Sequence, residues 1–190
     1  MNAMTQPAQN AVVNGISVAD VRALIAAVDE RPQAGLTRWR VANTWRGQTQ
    51  SVARVDGFEI GGAYVPRPFA LNIDEPAELG GANRFANPQE YLLAALNACM
   101  TVGFTALCAL NGIEIEQLEI VTEGDIDLRG FFGLDASISP GYDRLKTVIT
   151  VKGAASPERF QEIFQAMLAT SPNVHNITRP VALNSSLVVA

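Results

Sequence analysis

The segment NPQEYLLAALNACMTVGFTALCAL, residues 87–110, decides the fold of this chain. It carries no charge after Glu90, it is rich in small residues, and it contains both cysteines of the protein. Three interpretations fit such a segment: a membrane span, a buried helix of a globular domain, or the scaffold of a reactive thiol.

Local signals at both ends predict that this segment is one long helix. Asn87 can cap the helix, Pro88 suits its first position, and Glu90 stands three residues after the cap. Asn111 and Gly112 supply a stop at the other end. A helix of about 24 residues is roughly 36 Å long, which is enough to cross a small domain.

The uncharged run from residue 91 to residue 110 is about as long as a membrane span needs to be. However, Asn97, Thr101 and Thr105 interrupt it, and no basic cluster flanks either end as membrane topology would require. A helix that is apolar on all sides can equally form the centre of a soluble fold. We therefore predict a soluble protein without a membrane partner.

The composition of the chain limits its functions further. The 190 residues are 48% hydrophobic and carry a net charge of -5, which disfavours nucleic acid as a partner because phosphate binding needs a basic face. Two cysteines do not make a disulfide framework. Residues 1–15 are polar, are predicted to be frayed, and lack the pattern of a signal peptide, so the cytoplasm is the predicted location.

The remaining elements predict an α+β fold. Ser17 caps a predicted amphipathic helix over residues 17–30, in which Val18, Val21, Leu24, Ile25 and Val28 form one stripe. A second amphipathic helix is predicted over residues 156–169, and residues 75–88 form a loop. Strands are predicted within residues 36–45, 49–55, 69–74, 116–130, 143–153 and 182–190. We divide the chain into an N-terminal extension with one helix, residues 1–35, and a main domain, residues 36–190.

The two cysteines of the long helix must be considered separately. Cys99 and Cys108 are nine residues apart, which places them on opposite sides of the helix and about 13.5 Å apart along its axis. They can neither join in a disulfide within one helix nor share a metal ion. Each is either a small core residue or a reactive thiol, and activation of Cys99 would need a side chain from elsewhere, such as an arginine.

Other candidates for chemistry are weak. The single histidine, His175, is predicted to lie in a loop or at a strand edge, and Trp39 and Trp45 are predicted to fill the core. With one histidine and two separated cysteines we predict no metal site. Phosphate-binding and dinucleotide-binding motifs are absent from the sequence, so no cofactor is predicted.

Three segments together carry a family resemblance: NPQEYLLAALNACM (87–100), EGDIDLRGFFGL (123–134) and SPNVHNITRPV (171–181). With the amphipathic helix between the last two, they resemble the OsmC/Ohr family of thiol-dependent hydroperoxide reductases. The similarity covers about residues 36–189. The predicted helix at residues 17–30 makes the chain similar to the OsmC-like branch that has an extra N-terminal helix.

The resemblance implies an OsmC-like fold and an intertwined homodimer, in which two long helices, one from each subunit, pack at the centre between antiparallel sheets. In the peroxidase members, a first cysteine attacks an organic hydroperoxide and becomes a sulfenic acid. A second cysteine then closes a disulfide, and a dithiol reductant restores both thiols. An arginine and a glutamate hold the reactive thiolate.

Carried over to this sequence, the cysteine pair of the family is incomplete. The first cysteine matches Cys99, but the second falls at Ser171, before Pro172. Ser171 cannot form a disulfide. A sulfenic acid on Cys99 would therefore need an external thiol, such as a dithiol reductant, or the partner's Cys108 to resolve it.

The charged pair of the family is also altered. The glutamate position, ten residues before the first cysteine, holds Gln89, with Glu90 next to it. A glutamine adds no charge, and a shift of one residue turns a helical side chain by about 100°, so Glu90 is no automatic substitute. The arginine is matched to Arg46, with Arg38 and Arg40 as alternatives.

Two functions follow from the resemblance. The first is thiol-dependent reduction of organic hydroperoxides, with Cys99 as nucleophile, Arg46 as stabiliser of the thiolate, and an apolar hydroperoxide as substrate. The second is a non-catalytic OsmC-like dimer that binds a small hydrophobic ligand, which the serine at position 171 would favour.

Overall fold

The computed structural model describes residues 11–189, and the chain packs as two compact units that divide between Ala94 and Ala95. Residues 1–10, part of the segment predicted to be frayed, lie outside the described residues. The domain boundary predicted at residue 35 stays a prediction.

The N-terminal unit begins with a small antiparallel hairpin of β1 (Val12–Val13) and β2 (Ile16–Ser17). Its turn is formed by Asn14 and Gly15, which both have positive φ angles. The prediction of a frayed segment was therefore wrong for these residues. Asn-Gly is the dipeptide that favours such a tight turn, and the prediction overlooked it.

Helix α1 (Val18–Glu30) follows the hairpin directly, and the hydroxyl of Ser17 accepts a hydrogen bond of 3.3 Å from the N–H of Asp20. The predicted helix and its cap are confirmed. The predicted core stripe is only half buried, because Leu24 and Ile25 are exposed.

An antiparallel sheet completes the strands of the N-terminal unit, and its central strand β5 (Ser51–Ile60) pairs with the other three. These are β3 (Thr37–Trp39), β4 (Ala42–Trp45) and β6 (Ala63–Ile73). Trp39 and Trp45 are 62% and 72% exposed, so the prediction that they fill the core was wrong. Both lie on short strands, where sequence alone does not reveal which face is covered.

The long helix α2 (Pro88–Leu110) has the predicted bounds and the predicted N-terminal cap. The N–H of Asn87 donates to Oε2 of Glu90 over 2.7 Å, and the N–H of Glu90 donates to Oδ1 of Asn87 over 2.8 Å. This reciprocal pair is a capping box. After the helix, Gly112 adopts a φ of +68°, a conformation that few residues other than glycine accept.

The C-terminal unit contains the main hydrophobic core. One stripe of α2 packs against α4 (Pro157–Thr170) and against a two-stranded antiparallel sheet, β7 (Ile115–Glu123) with β8 (Lys146–Gly153). The buried residues of this core are Leu96, Met100, Phe104, Cys108, Ile113, Ile163 and Met167. By length and composition α2 could cross a membrane, and the stripe named here packs into the core of the C-terminal unit. The chain therefore has the predicted α+β architecture.

Three predicted elements of the C-terminal unit differ in the structure. The strand predicted to reach residue 130 ends at Glu123, where its partner β8 begins, and Asp127 caps a short helix α3 (Leu128–Phe131) instead. His175 lies in helix α5 (Pro172–Thr178) and not in a loop or at a strand edge. Residues 182–189 form no strand, because no strand of the described chain pairs with them.

Candidate functional site

Cys99 and Ser171 lie side by side in the C-terminal unit, although 72 residues separate them in sequence. The distance between Sγ of Cys99 and Oγ of Ser171 is 3.3 Å, which is a hydrogen-bonding contact. Cys99 is half-buried, and Ser171 is only 5% exposed. The structure thus brings together the two positions at which the resemblance places a pair of cysteines.

Ser171 is held at the junction of two helices. Its N–H donates to the carbonyl of Met167 at the end of α4, and its Oγ accepts from the N–H of Val174 over 3.4 Å at the start of α5. Nδ2 of Asn173 donates to the carbonyl of Ala95 on α2 over 2.8 Å. These contacts fix Ser171 against the turn of α2 that carries Cys99.

The hydrogen bonds of Ser171 leave its proton available to the sulfur. A serine hydroxyl donates once and accepts twice, and its oxygen here already accepts from Val174. When Cys99 is a thiolate, the sulfur can only accept. The pair is therefore arranged for an O–H···S⁻ hydrogen bond from Ser171 to Cys99.

A polar network holds the same turn of α2 on the sheet. Asn97, two residues before Cys99, donates to the carbonyl of Ile120 over 3.2 Å. Its Oδ1 accepts from the hydroxyl of Thr122 over 2.6 Å, and Thr122 in turn contacts Thr147 at 2.8 Å. This network orients the backbone that presents Cys99.

Cys108 is a core residue. Its side chain is 0% exposed and belongs to the hydrophobic core of the C-terminal unit. Burial raises the pKa of its thiol to about 11, although the charge of Arg159 partly opposes this rise. At neutral pH Cys108 is therefore a protonated thiol without access to solvent. Of the two interpretations that the sequence left open, Cys108 fits the small core residue and not the reactive thiol.

The three arginines predicted as candidates to stabilise the thiolate of Cys99 all lie in the N-terminal unit. Arg46 is exposed in the turn after β4, where its backbone N–H donates to the carbonyl of Gln50. Arg38 lies 3.9 Å from a carboxylate oxygen of Glu59, and Arg40 lies 4.0 Å from one of Asp56. Within residues 11–189, the guanidinium of Arg46 makes no ion pair. Of the three arginines, Arg46 is therefore the one whose charge is not paired with a carboxylate.

Gln89 and Glu90 lie in the first turn of α2, also in the N-terminal unit. Gln89 is exposed, and the carboxylate of Glu90 is occupied by the capping box. The carboxylate of Glu90 therefore has a structural role in capping α2.

A buried carboxylate, Asp74, was missed in the sequence. It is 0% exposed at the end of β6, and it accepts hydrogen bonds from the hydroxyl of Thr49 and from the N–H groups of Glu75, Ala82 and Arg84. Burial raises its pKa, but these four bonds outweigh burial, so the pKa is lowered. The sequence places this aspartate between a strand and a Pro- and Gly-rich loop. That position could have predicted that its side chain holds the loop by hydrogen bonds.

Among the residues that the structure describes, no three or more His, Cys, Asp or Glu side chains are grouped to hold a metal ion.

The comparisons with known proteins agree with the fold. The model of the OsmC-like protein family matches residues 81–186. An OsmC-like protein from Mycoplasma pneumoniae has a similar structure, with a TM-score of 0.59, 13% identity, and coverage of 74% of this chain and 87% of the other.

Two further structures are similar to this chain. An OsmC-like protein of unknown function from Vibrio cholerae has a TM-score of 0.54 and 11% identity, with coverage of 74% of this chain and 93% of the other. A putative osmotic stress induced and detoxification response protein from Psychrobacter arcticus has a TM-score of 0.53 and 16% identity, with coverage of 71% and 85%. No curated protein matches the chain.

Proposed function

The chain belongs to the OsmC-like protein family, and from this membership we propose that it reduces organic hydroperoxides with Cys99 as the nucleophile. The observation that carries the proposal is the contact of 3.3 Å between Cys99 and Ser171, the two positions that correspond to the cysteine pair of the peroxidase members. Cys99 is half-buried, whereas Cys108 is fully enclosed.

In the proposed reaction, the thiolate of Cys99 attacks the O–O bond of the hydroperoxide, because the thiolate and not the thiol is the nucleophile. Arg46 stabilises this thiolate. The support for Arg46 is that its guanidinium forms no ion pair with any residue of the described chain, whereas Arg38 and Arg40 face carboxylates. Gln89 contributes hydrogen bonds without charge.

The proposed working form is a homodimer in the cytoplasm. Its support is a stripe of α2 that faces solvent in the C-terminal unit, formed by Ala95, Ala98 and Val102, the last of which is 68% exposed. The small side chains of Ala95 and Ala98 allow a second helix to approach closely. The exposed Trp39 and Trp45 of the N-terminal unit are further apolar surface that a partner subunit would cover.

The experiment that tests the proposal is a steady-state assay of cumene hydroperoxide consumption with dithiothreitol as reductant. The wild-type protein and a Cys108→Ala variant are expected to turn over, and Cys99→Ser is expected to be inactive. Equal consumption by wild type and Cys99→Ser would remove Cys99 from the reaction.

A second candidate function, binding of a small hydrophobic ligand, is favoured by a groove between β8 and α4 that has both apolar and polar side chains in its wall. The groove has a volume of about 640 Å³, within the range of small-molecule sites. Its wall includes Phe104, Phe160, Phe164 and Val151. A protein that binds a fluorescent fatty acid in this groove and leaves cumene hydroperoxide intact would favour this candidate over the peroxidase.

A further inference from the structure

We propose that this protein is a one-cysteine enzyme in which Ser171 hydrogen-bonds the reacting sulfur of Cys99 and a thiol from outside the chain resolves the oxidised cysteine. The inference rests on the proposed function. It adds the role of Ser171 and the identity of the resolving group as a free thiol in solution.

The chain contains no thiol of its own that can resolve Cys99. Its sequence has two cysteines, and the second, Cys108, is 0% exposed in the hydrophobic core. Cys108 also lies nine residues further along the same helix, on the side of α2 opposite to Cys99. At the position facing Cys99 there is an oxygen, which cannot form a disulfide.

Ser171 suits the reduced and the oxidised forms of Cys99 alike. Its hydroxyl is held by Val174 on one side and contacts the sulfur on the other. A hydrogen bond to an anion is stronger than one between neutral groups, so Ser171 stabilises the thiolate before the reaction and a sulfenate after it. Because Ser171 is 95% buried, with an exposure of 5%, water competes little for this bond.

The reaction begins when the thiolate of Cys99 attacks the terminal oxygen of R–O–OH. An S–O bond forms as the O–O bond breaks, and the leaving alkoxide takes a proton and departs as the alcohol. The sulfur is oxidised by two electrons to a sulfenic acid, and the hydroperoxide is reduced by the same two.

Two molecules of external thiol then restore the enzyme. The first attacks the sulfur of Cys99, forms a mixed disulfide, and expels hydroxide, which leaves as water after taking a proton. The second attacks the mixed disulfide, which releases the external thiol as its symmetrical disulfide and returns Cys99 to the reduced form. Without external thiol, the sulfenic acid persists, and excess hydroperoxide oxidises it irreversibly to a sulfinic acid.

The test compares wild type with Ser171→Cys by mass spectrometry after one equivalent of cumene hydroperoxide without added thiol. Wild type is expected to give a dimedone-reactive sulfenic acid at Cys99 and, after addition of cysteine, a mixed disulfide. Ser171→Cys is expected to give an internal disulfide and no dimedone adduct. With excess hydroperoxide, sulfinic acid should accumulate in wild type and be suppressed in the variant.

Ser171→Ala tests the hydrogen bond separately. Its reaction with hydroperoxide is expected to be about tenfold slower, since one hydrogen bond to a charged group is lost. Ser171→Thr, which keeps a hydroxyl at this position, should recover most of the lost rate, which a purely structural role of Ser171 would not predict. Equal rates for wild type and Ser171→Ala would overturn the role of Ser171.

Diamide, which oxidises thiol pairs without a hydroperoxide, separates failure of this inference from failure of the proposed function. If diamide does not close a disulfide in Ser171→Cys, or if oxidised wild type pairs with Cys108, the inference is wrong even where Cys99 reacts with hydroperoxide. If Cys99 resists hydroperoxide in every variant, the proposed function fails, and the one-cysteine cycle fails with it.

Discussion

At the scale of single residues, the two cysteines differ because their surroundings differ. Cys99 is half-buried beside a hydroxyl, whereas Cys108 is enclosed by apolar side chains. Helical spacing alone places the two cysteines on opposite sides of α2, but it does not show which thiol is reactive. Their contrast appears only when α4 and α5 are packed against α2, so the proximity of Cys99 to Ser171 could be predicted from the family resemblance and not from local sequence.

Cys108 is expected to be unreactive in the folded protein. Its buried thiol has a pKa raised to about 11, so near neutral pH it is neither ionised nor accessible. Ellman's reagent should therefore titrate one thiol in the native protein and two after unfolding in guanidinium chloride. Native Cys99→Ser should show none. Two thiols reacting at the same rate in the native wild type would contradict the placement of Cys108 in the core.

Asp74 is expected to make stability depend on pH in the acid range. Its pKa is lowered below the ordinary value of 3.8, so its contribution to folding is complete above about pH 4 and is lost as pH falls through the lower folded-state pKa. Urea unfolding between pH 7 and pH 2.5 should show a steeper acid loss for wild type than for Asp74→Asn, which should also be less stable at pH 7. The exposed Asp125→Asn serves as control. Equal pH slopes for wild type and Asp74→Asn would be the contrary result.

At the scale of secondary-structure elements, helices were easier to predict than strands. The bounds of α2, its capping box and the cap of α1 are set by residues within one or two turns, and all were predicted from the sequence. A strand end depends on a partner that is distant in sequence. The alternation after Glu123 continues to Leu128, yet β7 ends because β8 offers no residues beyond Lys146 to pair with.

The capping box of α2 is expected to stabilise the protein measurably. Asn87→Ala removes the acceptor for the N–H of Glu90 and should lower the free energy of unfolding by about 1 kcal/mol. Gln89→Ala, an exposed position in the same turn, should change it by less than about 0.5 kcal/mol. Chemical denaturation of both variants provides the comparison, and equal losses would argue against the cap.

At the scale of the whole molecule, the surface carries more apolar side chains than the sequence pattern led us to expect. Trp39 and Trp45 were predicted to fill the core, and both are exposed in the single chain, as is Val102 on α2. Periodicity identifies an apolar face but not what covers it. The family resemblance offers a second subunit as the cover, and that assignment is a proposal about the assembly.

The proposed homodimer predicts a concentration-dependent mass. Sedimentation of the wild type should give twice the chain mass of 20.3 kDa. Val102→Glu places a charge on the exposed stripe of α2 and should shift the equilibrium to the monomer, whereas Ala166→Glu on the exposed face of α4 should remain dimeric. A wild type that sediments at the chain mass would contradict the homodimer.

The rate at which Cys99 reacts with an alkyl hydroperoxide tests the proposed enzyme most directly. Single-turnover measurements should follow loss of the Cys99 thiol by mass, with cumene hydroperoxide in excess at pH 7.4 and free cysteine as the reference thiol. A site that stabilises the thiolate and positions the substrate should raise the second-order rate constant at least about 100-fold over free cysteine, which corresponds to about 2.7 kcal/mol of transition-state stabilisation. A rate constant equal to that of free cysteine would show that Cys99 is an ordinary thiol and that the chain is not a hydroperoxide reductase.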